Sequence, residues 1–566
     1  MNIFIAQINP IVGDLRGNAA KILDNSIKAI DCDADLVLTP ELSLWGYPPK
    51  DLLLKDDLIE QQSIILDELS KEIAKANYGL SVLVGIAEKI KDKFFPDLFN
   101  SIALIEKGKW SVIARKIILP TYEVFDEKRY FRSEKKVSVF EKKLNSKKWK
   151  MGITICEDLW VNQDIQGRGI HKMNPIFDLK GEKIDLLINL SASPFTFRKF
   201  ENRLNISCSA AKFLNVPIFY VNQIGGNDEL IFDGNSFILN KNGQIIKRLK
   251  SFKEDFFCWK FNKNLENTNI RNHISLESTF DALVLGVKDY ARKCGFNSAL
   301  VGLSGGIDSA LVSVIATAAL GSKNIYSIAM PSKWNNKSSK QDAQELSQRL
   351  DINFKTIPIN DLLNVFELEF VNYLNLKLEG IAYENIQSRI RGTLLMALAN
   401  QNNHLLLSTG NKSELAVGYC TLYGDMNGGL SVIGDLYKTN VFKLCKWLDS
   451  NYSLKSRASY SLPIQGKLIG DKIYNKSPSA ELGPNQLDTD SLPPYSELDV
   501  LLKSIIEEKQ DINQLVDNGH RKDLIFRVFQ LIKKAEFKRK QAPPILKLSS
   551  QSLGNDWRIP IAISYN

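Results

Sequence analysis

The run Gly302-Leu303-Ser304-Gly305-Gly306-Ile307-Asp308-Ser309 combines backbone freedom, hydroxyls and one carboxylate, a set suited to wrapping phosphate. Ser298–Val301 before it reads as a buried strand, and the apolar stretch Ala310–Leu320 after it as a helix. Glycines at such a turn permit unusual dihedrals and close backbone approach, while the first helix amides offer unpaired N–H groups and a positive dipole end. No Gly-x-x-x-x-Gly-Lys-Ser/Thr occurs, so this phosphate cradle is not a Walker loop. Three further candidates stand where strand-like runs end: Glu41 after Leu36–Thr39, Lys116 in the stretch 114–120, and Cys156 after Met151–Ile155. Singly, each has a plain account as a helix-start acid, a solvated lysine and a small buried cysteine.

Composition narrows the chemistry further. With four histidines, none in His-Glu-x-x-His spacing, a zinc site or a histidine-based triad has little material. Seven cysteines with no Cys-x-x-Cys pair argue against a disulfide framework and for a reducing, cytoplasmic setting. The net charge of +9, from 73 basic and 64 acidic residues, suits anionic small substrates and gives no footprint for nucleic acid. Basic clusters such as Glu141–Lys150 read as a solvated hairpin. Met1–Pro10 reads as a first strand rather than a signal peptide, and no apolar run reaches membrane-spanning length, so no membrane partner is expected.

The elements that must position these residues fall into two halves, since 566 residues exceed what one core usually organises. Strand-like runs at Ile3–Ile8, Leu36–Thr39, Ser81–Gly85, Ser101–Glu106, Met151–Ile155, Asp185–Leu190 and Pro217–Asn222 alternate with helical stretches, Leu58–Asn77 the clearest. This predicts a layered α/β domain with functional side chains at strand ends. After the strand-like Phe256–Phe261, a polar, asparagine-rich segment has no periodicity. The expected organisation is a domain over 1–261, a linker over 262–274 and a second domain over 275–566. In the latter, the helix Glu277–Cys294, the strand Ile325–Met330 and the helix starting at Asp342 predict a doubly wound parallel sheet.

Together and in this order, Glu41, Lys116 and Cys156, with the words around them, resemble the Glu-Lys-Cys triad of the nitrilase superfamily of carbon–nitrogen hydrolases. The resemblance implies an α-β-β-α sandwich in which Cys156 attacks, Glu41 is general base and Lys116 is the electrostatic partner. It also matches Tyr122, Ser193 and Lys199 to positions that bind glutamine in glutamine-dependent members. For Ser193 a helix-start or turn serine is an equally good reading of the bare sequence.

The loop Ser-Gly-Gly-x-Asp-Ser resembles that of the ATP pyrophosphatases. The successive stretches Met330–Ser332, Tyr383–Arg391, Leu405–Gly418, Tyr423–Gly429 and Gly434–Thr439 are similar to the synthetase domain of the glutamine-dependent NAD synthetases. That likeness implies ATP contacts from residues 302–309, Thr409 and Lys438, and Mg²⁺ contacts from Asp308 and Glu414. It implies deamido-NAD contacts from Asn385, Glu414 and Lys538. From the bare sequence Glu414 would be a helix-start acid, and the stretch around Lys538 a solvated helix end. The implied reaction adenylates the nicotinate carboxylate with ATP and displaces AMP with ammonia from glutamine, along a shielded path; a homo-oligomer is implied too. A transfer-RNA-modifying ATP pyrophosphatase would add a basic face or clustered cysteines. A non-catalytic protein on the same folds would have lost triad or loop residues, and none is missing.

Overall fold

Short apolar strands with alternating side chains build two six-stranded sheets in the first half of the chain. The computed structural model describes residues 1–90, 95–144, 147–160, 173–261 and 276–563. Two compact units result, Met1–Asn227 with Ile231–His273 and Asp228–Leu230 with Ile274–Asn566. The expected linker, 262–274, lies outside the described residues. Among the described residues no helix is long and apolar enough to cross a membrane.

The first unit's strands are β1 (Asn2–Gln7), β2 (Leu36–Leu38), β3 (Ser81–Lys89), β4 (Leu98–Glu106), β5 (Lys109–Arg115), β6 (Ser138–Leu144) and β7 (Lys147–Ile155). They continue as β8 (Leu186–Ser191), β9 (Ile218–Asn222), β10 (Ile224–Asn227), β11 (Leu230–Asp233), β12 (Phe237–Leu239), β13 (Ile245–Arg248) and β14 (Asp255–Lys260). One sheet runs β14-β1-β2-β3-β4-β5, the other β6-β7-β8-β9-β12-β13. Read in these orders, both have the same polarity: one antiparallel pairing, two parallel, two antiparallel. Period-two alternation divides the side chains. Leu186, Ile188 and Leu190 of β8 meet Ile3, Ile5, Leu36 and Leu38 between the sheets. Leu187 faces the other way, with Leu179 of α3 (Pro175–Gly181) and Ile206 of α4 (Lys199–Leu214). Helices α1 (Leu15–Asp31) and α2 (Asp56–Ala76) pack on the first sheet. The layers are therefore α-β-β-α, as expected.

One local expectation changes and another is met. The hairpin over Glu141–Lys150 is present, with Glu141 opposite Lys150, but it is not simply solvated. Lys142 and Trp149 are buried, Lys142 Nζ lying 2.9 Å from Glu106 Oε1, because alternate residues of β6 and β7 face inward. The strand-like end at Phe256–Phe261 becomes β14, which returns along the edge of β1 with Asn2 opposite Lys260.

In the second unit β15 (Ala299–Gly302), β16 (Ile325–Ala329), β17 (Asn353–Thr356), β18 (Leu405–Ser408) and β19 (Leu430–Ser431) form one parallel sheet in the order β17-β16-β15-β18-β19. The order reverses between β15 and β18, and at such a switch point the loops leaving two neighbouring strands diverge to leave a crevice. The unit's first helices are α5 (Leu276–Lys293), α6 (Ile307–Leu320), α7 (Lys337–Leu350), α8 (Asn360–Leu374), α9 (Gly380–Asn402), α10 (Lys412–Val417) and α11 (Lys438–Leu448). Helix α6 starts three residues before the expected Ala310, which sets Asp308 and Ser309 in its first turn.

Candidate active sites

Lys116 follows β5 and Glu41 follows β2, and β5 runs in the same direction as β2 and β3, so both residues emerge at one edge of the first sheet. Gly85 permits the approach: a Cβ there would stand 2.1 Å from the Leu42 main-chain nitrogen. Lys116 Nζ lies 2.6 Å from Glu41 Oε1 and 2.7 Å from Glu127 Oε1, with both Lys116 and Glu41 fully buried. The solvated-lysine account of Lys116 is thereby excluded. Asn100 Nδ2 donates to Glu41 Oε1 at 2.8 Å and the Ala192 N–H to Oε2 at 2.9 Å, so both carboxylate oxygens have directed partners.

Cys156 leaves β7 with φ of 47°, a left-handed conformation uncommon outside glycine and frequent at functional turns. Asp158 ties this turn to the lysine strand end. Its Oδ2 accepts the Ile155 N–H at 3.0 Å, and its Oδ1 accepts those of Ile117 and Ile118 at 3.0 and 2.7 Å. Burial and the neighbouring Glu41 push the Cys156 thiol well above its usual range, against the pull of Lys116. Burial alone would lower the Lys116 ammonium, but Glu127 and Glu41 outweigh it and hold the lysine charged. Burial raises Glu127 to about 7, opposed by Lys116 and reinforced by Glu41.

Glu127 and Asp158 were not singled out from the sequence. An acid among neighbouring acids and bases carries no local mark of burial. Tyr47 OH donates to Glu127 Oε1 at 2.7 Å, while Oε2 is buried with no hydrogen-bond partner among the described residues. The expected glutamine contacts gather nearby. Tyr122 OH donates to Glu157 Oε1 at 2.7 Å, beside the cysteine. Ser193 is buried, its N–H donating to Asn222 Oδ1 at 2.9 Å in the loop that also supplies Ala192. Lys199 opens α4 with its Nζ 4.3 Å from the centre of the Trp160 ring.

In the second unit, every residue expected to meet nucleotide lines one cavity of about 540 Å³. Residues 302–309, Thr409, Glu414 and Lys438 share it with Asn385 and Lys538. Gly305 takes φ of +82°, and a Cβ there would lie 2.1 Å from the Ser339 carbonyl oxygen, so the turn requires glycine. Lys438 Nζ stands 2.5 Å from Asp308 Oδ2 and 3.0 Å from Glu414 Oε1. Asn411, the N-cap of α10, donates Nδ2 to Asp308 Oδ1 at 3.0 Å and accepts the Glu414 N–H at the same distance. Glu414 is thus a helix-start acid and a cavity wall at once. Burial raises it to about 7, with Lys438 opposing and Asp308 reinforcing. Lys438 is held above its ordinary value: burial would lower it, and Asp308 and Glu414 prevail.

Lys538 is not a solvated helix end, since its Nζ donates to the carbonyls of Gly418 and Cys420 at 2.8 and 2.6 Å. Asn385 Oδ1 accepts from Thr421 Oγ1 at 2.8 Å. Among the lining residues that were not expected are Arg391 and Glu481. Arg391 donates Nε to the Met330 carbonyl at 2.9 Å, and burial brings it down to about 10. Glu481 accepts from Ser339 Oγ at 2.5 Å and Asn335 Nδ2 at 2.9 Å, a pairing across 142 residues or more that no local pattern signals.

Residues 3–258 match the carbon-nitrogen hydrolase family and residues 279–542 the NAD synthase family. Over all of its length the chain is 44% identical to the glutamine-dependent NAD(+) synthetase of Synechocystis sp., spanning 99% of that protein. It is 36% identical to the enzyme of the same name from Thermotoga maritima, covering 99% of this chain and 98% of the relative. The solved structure of the Acinetobacter baumannii glutamine-dependent NAD(+) synthetase in complex with ADP superposes with a TM-score of 0.73 at 33% identity, over 99% of this chain and 98% of the other. A Cytophaga hutchinsonii structure shares the fold, with a TM-score of 0.80 at 20% identity over 100% of this chain and 98% of that one. By full-length similarity and by the two domain families in this order, the chain belongs to the glutamine-dependent NAD(+) synthetases.

Proposed function

We propose that this protein is a glutamine-hydrolysing NAD(+) synthase, a carbon–nitrogen ligase that amidates deamido-NAD with ATP and releases AMP, pyrophosphate and glutamate. Residues 1–261 are the amidase, 275–566 the synthetase and 262–274 their connection. In the amidase, Glu41 takes the Cys156 proton as the sulfur attacks the glutamine carboxamide, and Lys116 balances the charge that develops. Glu41 passes that proton to the departing nitrogen, so ammonia leaves as the tetrahedral adduct collapses to the thioester; Glu41 then takes a proton from the attacking water and returns it to the Cys156 sulfur as glutamate is freed. Tyr122, Ser193 and Lys199 hold glutamine, Lys199 supplying a cation for its carboxylate. Cytoplasmic placement accords with a nucleophile that works only reduced and with seven unpaired cysteines.

In the synthetase, the amides of 302–309, Thr409 and Lys438 hold ATP while the nicotinate carboxylate attacks the α-phosphorus, and ammonia displaces AMP. Asn385, Glu414 and Lys538 hold deamido-NAD. Asp308 and Glu414 suit Mg²⁺: two hard carboxylates beside a phosphate cradle, leaving further positions for phosphate and water. When bound, that ion would neutralise phosphate charge. The observation that carries this reading is the convergence of all the expected nucleotide residues on one cavity. The test is NAD formation from deamido-NAD with ATP, Mg²⁺ and either glutamine or ammonium, with AMP and pyrophosphate appearing one for one. Formation of ADP instead, or ATP-independent product, would overturn it.

A second copy of the chain completes the proposal. Helix α8 buries only Leu363, and Val365, Leu368 and Tyr373 are 56%, 59% and 78% exposed. With Leu376 and Ile381 the patch reaches the cavity, which Ile381 lines. Exposed large apolar side chains over 362–381 offer on the order of 800 Å², what one partner of a standard interface buries. Leu368→Lys is expected to lower the mass seen in analytical ultracentrifugation.

A further inference from the structure

We infer that Asp499, which lies outside the nucleotide cavity, is a positioning residue that sets Lys438 and Glu414 in register by joining the two helices that carry them. The inference rests on the synthetase reading above. Asp499 is buried on the helix Tyr495–Ile506. Its Oδ1 accepts from Ser413 Oγ at 2.5 Å and its Oδ2 accepts the Thr439 N–H at 2.8 Å. Ser413 Oγ in turn accepts the Lys438 N–H at 2.9 Å, which closes a ring of three hydrogen bonds across three helices. Ser413 immediately precedes Glu414 in the first turn of α10, and Lys438 and Thr439 open α11. The N-cap of α11, Tyr437, makes no side-chain cap, so Asp499 supplies the anionic acceptor that this helix start lacks.

The same helix face reaches Lys438 a second time. Tyr495, one turn before Asp499 and therefore on the same side of the helix, lies with its ring centre 5.4 Å from the Lys438 ammonium. Its hydroxyl donates to Asp488 Oδ2 at 2.8 Å, and Asp488 is part of the cavity wall. Lys438 is thus gripped at its main-chain N–H through Ser413 and at its charged end beside Tyr495. The 3.0 Å contact between Lys438 Nζ and Glu414 Oε1 depends on where the starts of α10 and α11 stand relative to one another. Misplacement of a reacting or positioning group by about 1 Å can cost ~10²-fold in rate.

The experiment is steady-state kinetics on the full-length enzyme with ammonium as nitrogen source, varying ATP. NAD formation by the parent comes first, and its absence sinks the synthetase reading rather than this one. Asp499→Ala is expected to lower kcat roughly 10- to 100-fold while KM for ATP moves less than about threefold. Asp499→Asn keeps one acceptor for the Thr439 N–H and offers an N–H to Ser413 Oγ, so it should recover most of the loss. Ser413→Ala should resemble Asp499→Ala, and the double variant should be no slower than the slower single one, because the ring acts as a unit. A kcat within threefold of the parent in Asp499→Ala, multiplicative losses in the double variant, or no recovery with Asp499→Asn would each overturn the inference. Should Asp499→Ala fail to fold, Ser413→Ala at the parent kcat overturns it just as directly.

Discussion

The two sites contain the same charge motif in different surroundings. In the first unit Lys116 bridges Glu41 and Glu127; in the second Lys438 bridges Asp308 and Glu414. Each trio carries one more carboxylate than ammonium, and in each, burial lifts one glutamate to about 7. The first trio is sealed, its side chains 0%, 0% and 5% exposed, whereas Asp308 and Glu414 keep 17% and 16% open to the cavity. An excess negative charge without water is costly, so the sealed trio relieves it by keeping a proton on Glu127. The cavity trio has another outlet, since its open carboxylate edges can meet a cation that arrives with phosphate. On the proposed reading, one lysine between two acids would serve proton transfer where it is enclosed and ion binding where it is not.

The largest expected effect separates the two trios outright. Cys156→Ala should abolish NAD formation from glutamine yet leave formation from ammonium near the parent rate, because only the thioester step needs the thiol. A glutamine-driven rate that survives would break the assignment. Next, Asp308→Asn should lower synthesis ~10²–10³-fold from both nitrogen sources, since ammonia enters after adenylation. A reactive glutamine analogue should still label Cys156 in that variant, as mass spectrometry of the intact protein would show. Glu127→Gln is expected to slow glutamine hydrolysis at least roughly tenfold at about pH 8.5. The gap should narrow below pH 7, where Glu127, held at about 7, is protonated in the parent and its neutral amide replacement resembles it. A gap that does not change with pH would detach Glu127 from the rate.

The smallest effect is on stability. An acid with a raised folded pKa binds its proton more tightly in the folded state. Its contribution is fully present below the ordinary value of 4.5 and is lost as pH rises through about 7. Glu127→Gln and Glu414→Gln should each flatten the decline of Tm across that window. Added Mg²⁺ should flatten it in the parent through Glu414 alone, since the ion favours the charged carboxylate at the open trio and has no access to the sealed one. Equal Mg²⁺ responses in both variants would erase the distinction.

Local sequence carried a great deal of this molecule. Strand periodicity marked Ile3–Ile8, Leu36–Thr39 and Asp185–Leu190, because a residue that faces the core must alternate with one that faces a helix layer. The short runs Phe237–Leu239 and Ile245–Arg248 went unmarked, since three or four residues give too little alternation and their state depends on the strand beside them. At the sites, Gly305 was legible from its turn; Glu41, Lys116 and Cys156 stood at strand ends where each singly had a plain account, and only the resemblance joined them.

What the sequence by itself determined was thus the residue types, their order and the local conformations that depend on near neighbours: a strand, a glycine turn and a helix start around Asp308, and a strand running into a turn at Cys156. Only the tertiary structure decided burial and partnership. It made Lys116 a sealed cation rather than a solvated one, drew Glu127 and Asp158 into the cysteine site, and turned Lys538 onto the carbonyls of Gly418 and Cys420. It also carried Asp499 from a distant helix to the starts of α10 and α11. The physical reason is that propensity and periodicity act over a few residues, whereas the cost of burying a charge is met by whichever partner the fold brings within about 3 Å, however distant in the chain.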